Sequence, residues 1–396
     1  MKILVLNSGS SSIKFKLYNM DDKSVLASGI IEEIGNKNSK AILKFSGKVV
    51  TKNLEIINHE AGTHILNQML KDNGILDSLN DLDGIGHRIV HGGDKFKSSV
   101  IIDDEVIDII KYLSPLAPLH NPAHLEGIKS AIKEAPNVPN VAVFDTVFHQ
   151  TMPNYAYMYA IPYDLYKNYH VRKYGFHGTS HKYVSQEAAK FLNIDINKFN
   201  AISLHIGNGA SITAIKNGKS IDTSMGITPL EGLMMGTRSG DIDPAAITYL
   251  AEVLDVRSKE IYKILNNKSG LLGICGTNDM REVRKMITQD NELAKLAYSM
   301  YMYRIIKYIG SYFAVLGRVD ALIFTAGVGE NDFELRDDIC NKITHLGVLI
   351  NKELNQKQSS DIRFITKENS PIKALVVPTD EELAIALDVK NLILKK

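Results

Sequence analysis

Apolar and polar positions along the chain change their period several times, and each change marks an element. Residues 2–6 read Lys-Ile-Leu-Val-Leu, an apolar run typical of a strand buried on both faces. Residues 12–18 alternate instead, with Ile13, Phe15 and Leu17 on one side, which predicts a half-buried strand. Further strands are expected over 24–34 and 41–50, a helix over 59–72 and a strand over 84–90. Helices over 104–113 and 123–134 and a strand over 141–145 follow. Strands first, then helices and strands in alternation, predict an α/β domain.

The pattern then restarts. Residues 201–206 form an apolar strand that runs into the turn Gly207-Asn-Gly209. Residues 211–215 and 220–222 make a hairpin around Asn217-Gly218. Helices are expected over 244–254, 258–265 and 292–316. A buried strand over 321–325 opens onto a second glycine turn, Gly327-Val-Gly-Glu-Asn331, and a strand over 373–377 precedes a helix over 381–387. Residues 4–13 and 204–212 repeat one motif, strand, small polar loop and strand. One copy in each half suggests a duplicated fold with a cleft between the halves. The Tyr- and Pro-rich stretch 150–174 is the expected crossing region.

Composition narrows the class. A chain of 396 residues favours two domains over one core. Its 46 basic and 45 acidic residues leave a net charge of +1, which argues against a broad nucleic-acid surface but leaves room for a small basic pocket. Cys275 and Cys340 cannot build a disulfide framework, so a reducing, cytoplasmic setting is expected. The apolar start is too short for a signal segment, and no run is long enough to span a membrane.

The loops carry the candidate chemistry. Asn7 is followed by five small residues, Ser8 to Ser12, among which a phosphate can approach backbone N–H groups, with Lys14 as a nearby point charge. An ordinary turn with exposed serines would read the same. The turns after 206 and 326 are similar, and three such turns at strand ends favour a nucleotide site. None is a Walker loop, because Thr213 stands where Gly218-Lys219-Ser220 would need its upstream glycine. The pairs His87/His91, His120/His124 and His177/His181 have metal-like spacing but lack the HExxH glutamate, so zinc is disfavoured. Arg88, before His91-Gly-Gly, suits a carboxylate or phosphate, or a surface ion pair. Arg238 lies in the open loop Gly236-Thr-Arg-Ser-Gly240, and Asp145 ends an apolar strand. Glu381 and Glu382 either favour a helix N-terminus or offer oxygen to magnesium.

These segments together resemble the acetate kinase family. The resemblance rests on Asn7-Ser-Gly-Ser-Ser-Ser-Ile-Lys-Phe, His87-Arg-Ile-Val-His-Gly-Gly, Pro118-Leu-His-Asn-Pro and Phe144-Asp-Thr-Val-Phe-His. It continues through Tyr174-Gly-Phe-His-Gly-Thr-Ser-His, His205-Ile-Gly-Asn-Gly and Pro378-Thr-Asp-Glu-Glu. It implies two duplicated actin-like (ribonuclease H-like) α/β domains around a cleft, over 1–148 with about 382–396, and over 149–381. It also implies reversible transfer of the ATP γ-phosphoryl group to acetate, with Mg2+ (manganese as an alternative), usually in a homodimer. Carried over by position, Asn7 and Glu381 match metal positions, with Glu382 the competing choice for the second. Lys14, His205, Ile206, Gly207, Asn208, Gly209, Asp279, Met280, Arg281, Gly327, Val328, Gly329, Glu330 and Asn331 match ATP positions. Arg88 matches the carboxylate-binding arginine, and Val90, Leu119, Phe176 and Pro229 match the pocket for the acyl methyl. Asp145, His177 and Arg238 match catalytic positions, and Ser10, Ser12 and His120 match other active-site positions. A propionate or butyrate kinase and a non-catalytic actin-like nucleotide sensor are the rival readings.

Overall fold

The apolar run at the start of the chain forms β1 (Lys2–Gly9), whose Ile3, Leu4, Val5 and Leu6 are all buried. Its two faces serve two cores. Leu4 and Leu6 pack with Leu66 and Leu70 of the helix His59–Asp72 and with Ala131 of the helix Asn121–Glu134. Ile3 and Val5 pack with Ile385, Ala386 and Val389 of the helix Glu381–Ile393. A strand covered on both sides needs apolar residues at every position, which is why no alternation shows. The computed structural model describes residues 1–118 and 120–395; Leu119 lies outside the described residues.

The chain forms two units, Met1–Phe148 with Asp380–Lys396, and His149–Thr379. In the first, β1 is followed by β2 (Ser12–Asn19), β3 (Ser24–Glu32), β4 (Ser39–Phe45), β5 (Lys48–Leu54), β6 (Gly84–Ile89), β7 (Val100–Ile101) and β8 (Asn140–Phe144). They form one sheet in the order β5-β4-β3-β2-β1-β6-β8-β7. β1 runs parallel to β6, and β6 to β8, while β1 to β5 form an antiparallel meander. The single strand expected over 41–50 is two. Ser46 and Gly47 take φ values of 46° and 74° and fold it into the β4–β5 hairpin. On β6 a Cβ at Gly86 would stand 2.6 Å from Ile385 and 2.8 Å from Val389. Glycine there lets the helix Glu381–Ile393 lie flat on the sheet, so Glu381 groups with the first unit.

The second unit holds β9 (Ala201–Ile206), β10 (Ala210–Lys216), β11 (Lys219–Thr223), β12 (Ala321–Thr325), β13 (Arg363–Phe364) and β14 (Lys373–Val376). Its sheet order is β11-β10-β9-β12-β14-β13. Asn217 and Gly218 adopt φ of 51° and 72°, the left-handed pair that closes a two-residue hairpin. Val184 and Ala188 of the helix Gly178–Phe191 pack against Ala201, Ile323 and Leu375. Strand order and direction match between the sheets, β3-β2-β1-β6-β8 in one and β11-β10-β9-β12-β14 in the other. The glycine turn expected at 327–331 is a short helix, Ala326–Asn331, entered through Ala326 at φ 65°. The helices Gly178–Phe191, Gly270–Cys275, Met280–Thr288 and Phe333–Lys342 were not anticipated by the apolar pattern. Among the described residues no helix is long and apolar enough to cross a membrane.

Candidate functional site

Parallel register gathers the first group of side chains. Leu6 pairs with His87, and Arg88 and Ile89 pair with Val143 and Phe144. Asn7, Arg88 and Asp145 therefore lie at the C-terminal ends of three neighbouring strands, where α/β sheets bind ligands. Asn7 faces Lys14 across the β1–β2 hairpin, with Ser10 and Ser12 at its tip. Lys14 is exposed and makes no ion pair among the described residues. Arg88 grips Asp145 with two nitrogens: Nε donates to both carboxylate oxygens at 3.2 Å, and Nη2 to Oδ2 at 2.7 Å. Asp145 is 1% exposed and raises the Arg88 pKa above its ordinary value. Nη1 of Arg88 has no protein hydrogen bond among the described residues, so one edge of the guanidinium remains available.

Buried polar contacts hold this edge of the sheet. The Val90 N–H donates to Nδ1 of His124 (3.3 Å), and the His91 N–H to Oδ1 of Asn121 (3.3 Å). His124 can accept because it is neutral: burial pushes its pKa down to about 3. His87, pushed to about 4 by burial, lies 2.7 Å from Oδ1 of Asn140. His87 and His124 are thus structural. His120 stands at the N-cap of the helix Asn121–Glu134.

The two adjacent glutamates differ. Lys16 lies 3.5 Å from Glu382 and 3.4 Å from Asp380, and Asp380 caps the helix by accepting from the Leu383 N–H at 3.0 Å. Glu381 has no such lysine among the described residues. Burial and the negative charges of Asp145, Glu382 and Asp380 push its carboxyl up to about 7, against the opposing pull of Arg88.

The second unit carries the other group. His177 caps the helix Gly178–Phe191 at φ 56° and ψ 22°, a left-handed conformation that costs energy in a non-glycine residue. Its Nδ1 lies 2.9 Å from Oγ of Ser211, which also lies 2.7 Å from Nε2 of His181. His181 is wholly buried, and burial takes its pKa well below the usual value. The His177 ring stacks on His205, with centroids 4.1 Å apart. A Cβ on Gly209 would stand 3.4 Å from Nη1 of Arg238 and 3.6 Å from Nε2 of His177. These groups therefore converge over the turn that follows β9. Arg238 donates to the Pro229 carbonyl at 3.2 Å and meets no carboxylate among the described residues. Burial lowers its pKa.

Beside this turn opens a cavity of about 720 Å³. Eight residues singled out in sequence line it: Gly207, Asn208, Asp279, Met280, Arg281, Gly327, Val328 and Asn331. His205, Ile206, Gly209, Gly329 and Glu330 are not among its lining residues. Glu330 points elsewhere, accepting from the N–H groups of Ala326 (2.8 Å) and Thr379 (3.0 Å). Sequence reasoning missed Gly236, Leu271, Asn278, Arg284, Tyr301, Asp332, Phe333 and Glu334 in the wall. Gly236 had a signal, since it opens the small-residue loop around Arg238; a Cβ there would stand 2.0 Å from Oδ1 of Asn208. Val90 belongs to the first unit and Phe176 and Pro229 to the second. Among the described residues no three His, Cys, Asp or Glu side chains form a ready metal cluster.

The family model described as "Acetokinase family" matches residues 2–387. An acetate kinase of Campylobacter concisus is 57% identical over 393 residues, covering 99% of both chains. The crystal structure of Porphyromonas gingivalis acetate kinase superposes with a TM-score of 0.95 at 46% identity, covering 99% of both chains. That of a propionate kinase from Francisella tularensis superposes at 0.92 with 47% identity, covering 98% of this chain and 99% of the other. The chain belongs to the acetokinase family.

Proposed function

We propose that this protein transfers the γ-phosphoryl group of ATP to acetate, reversibly, giving acetyl phosphate and ADP. The observation that carries the reading is the convergence of Arg238 and His177 over Gly209, with no carboxylate on Arg238 among the described residues, beside a nucleotide-sized cavity. Phosphoryl transfer needs charge neutralisation and alignment more than covalent chemistry, and this is a site for a multiply charged group. Arg88 supplies the complementary function. With Nε and Nη2 fixed by Asp145, its remaining edge receives the acetate carboxylate. Acetate is already a nucleophile, so Asp145 serves to orient Arg88 and no general base is needed. Val90, Phe176, Pro229 and Leu119 are assigned to the methyl group by resemblance.

A magnesium ion fits Glu381 better than Glu382. Glu382 is paired with Lys16, whereas Glu381 has no lysine partner among the described residues and is buried near three other carboxylates. With the Asn7 amide these donors would hold the ion loosely and leave its other positions to water and phosphate, as Mg2+ prefers. The ion would offset phosphate charge. Lys14, Ser10 and Ser12 lie at the β1–β2 hairpin and His120 at the N-cap of the helix Asn121–Glu134, and the residues of the large cavity hold the nucleotide. We take the units as duplicated actin-like halves, because the strand order and direction of their sheets match. Tyr155, Tyr163, Tyr169, Tyr249 and Tyr303, all exposed on the second unit, favour a homodimer, and the two free, buried cysteines favour a cytoplasmic protein.

ADP-forming acyl phosphate synthesis, compared by kcat/KM for acetate, propionate and butyrate, tests the proposal; turnover of none defeats it. The propionate kinase among the structural relatives makes propionate the rival substrate. One methylene in an apolar pocket discriminates by only about 1–3 kcal/mol. Transfer is direct and in line, so a chiral γ-phosphorus is inverted; net retention would require a phosphorylated enzyme.

A further inference from the structure

A second cavity, of about 500 Å³, lies against the short helix Ala326–Asn331. Two arginines form part of its wall. Arg336 is 1% exposed. Its Nη1 donates to the carbonyls of Gly329 (2.9 Å) and Glu330 (2.8 Å), and its Nε and Nη2 to Asn355 (both 2.8 Å). Arg363 donates to the carbonyls of Ser359 (2.9 Å) and Glu330 (3.3 Å), while its buried Nε meets no partner. Neither forms an ion pair among the described residues. The carboxylates whose charge they feel are engaged elsewhere. Asp332 is bound by Arg284 at 2.8 Å, and Glu330 accepts from two backbone N–H groups. Burial and the charge of Arg363 push the Arg336 pKa down to about 10, and burial also lowers that of Arg363.

A buried cation beside a half-buried one, neither with a counter-ion among the described residues, is costly, and carbonyl oxygens offset only part of that cost. If the arginines served only to tie down the loop, no cavity beside them would be needed, nor a third cation at its rim. Lys357 supplies that cation, with the hydroxyls of Ser359 and Ser360.

We propose that this cavity is a second ligand site, for a compact multivalent oxyanion such as a phosphate ester, a polyphosphate or a polycarboxylate. The anion would take the unpartnered Nε of Arg363 and the charge of Lys357. Because both arginines hold the carbonyls at the end of Ala326–Asn331, occupancy also stiffens that helix, whose Gly327, Val328 and Asn331 line the larger cavity. This coupling, unlike the site itself, rests on reading the larger cavity as the nucleotide site.

The test is calorimetric titration of the full chain, without nucleotide, with pyrophosphate, citrate and inorganic phosphate, against acetate at matched ionic strength. Pyrophosphate or citrate should bind saturably and acetate should not; their relative affinities separate a phosphate-bearing ligand from a polycarboxylate. Arg363→Gln and Lys357→Glu should each raise Kd by about tenfold or more. Lys357 is exposed, so Lys357→Glu remains informative even where Arg363→Gln folds poorly. Binding of equal strength in the variants would place the anion in the larger cavity and overturn the proposal, as would no binding above the acetate control. A bound anion should then shift KM for ATP in the wild type but not in Lys357→Glu. Variant-sensitive binding with an unmoved KM would refute the coupling alone.

Discussion

Replacing Asp145 with asparagine removes one charge and almost no volume, so its effect reports on what the carboxylate does. In the native site Arg88 reaches Asp145 through Nε and Nη2, with three contacts between 2.7 and 3.2 Å. Asparagine offers a single acceptor oxygen, so one charge-assisted hydrogen bond is lost and the guanidinium can pivot about the other. Such a bond is worth about 1.5–3 kcal/mol, or roughly 10- to 150-fold in an equilibrium. The Arg88 side chain is 25% exposed and can recruit water, so the loss in folding stability falls below the 3–5 kcal/mol typical of breaking a fully buried pair.

With Arg88 proposed to hold the acetate carboxylate before and during transfer, the penalty should appear as weaker acetate binding. KM for acetate should rise by about one to two orders of magnitude, with kcat within a few-fold of wild type and KM for ATP unchanged. Initial-rate kinetics in the acetyl phosphate-forming direction, with both substrates varied, resolve the three constants. A fall in kcat of about a thousandfold with KM for acetate unmoved would refute the reasoning, because it would place Asp145 at a proton or charge that develops only in the transition state.

Other perturbations probe the remaining parts. Arg238→Ala removes the cation over Gly209 and should lower kcat by about a thousandfold or more; a loss below tenfold would end its assignment. Gly86→Ala forces a methyl into Ile385 and Val389 and should cost about 1–3 kcal/mol in chemical denaturation, with activity falling only as far as the helix that carries Glu381 moves. His87, His124, His149 and His181 are buried and neutral, with pKa values pushed to about 4, about 3, about 4 and well below normal by burial. The folded chain therefore binds fewer protons than the unfolded one, and stability is present above the unfolded value of about 6.5 and lost as pH falls below it. From pH 7 to pH 5.5 each histidine should remove on the order of 1 kcal/mol, read as a falling denaturation midpoint in each unit; a flat profile would mean that these rings are charged in the fold.

Legibility from sequence followed from where each residue's constraint is local. The β1–β2 loop, the Asn217-Gly218 hairpin and the runs that became β9 and β12 announce themselves through small residues and unbroken apolar stretches. The helix Gly178–Phe191 does not. Its inner face carries Thr179, Ser180, His181 and Ser185 beside Val184 and Ala188, and buried hydroxyls paired with histidines hide the apolar period. The β4–β5 hairpin was hidden for the opposite reason: Ser46-Gly47 interrupts a run whose flanks look like one strand. In the site, residues on turns were recognisable by type. Arg284, Tyr301 and Phe333 reach the cavity from helices more than two hundred residues after β1, and nothing local marks them. The proposed preference for Glu381 over Glu382 rests on Lys16, which is distant in sequence from Glu382 and adjacent to it in space.

The two arginines proposed for catalysis differ in how they are neutralised, and that difference fits the charges they meet. Arg88 handles a monovalent carboxylate, whose binding gains little from a stronger field but much from a fixed fork. Asp145 cancels most of its charge and fixes its plane. Arg238 meets a phosphoryl group carrying several charges, and a carboxylate partner would cancel the field that the transition state needs. It is held by a carbonyl at 3.2 Å, which orients without neutralising. Exchanging the two environments, by placing a carboxylate beside Arg238, should therefore cost more in kcat than deleting one beside Arg88. The acidic partner would occupy the guanidinium edge that the phosphoryl oxygens require and repel them at once.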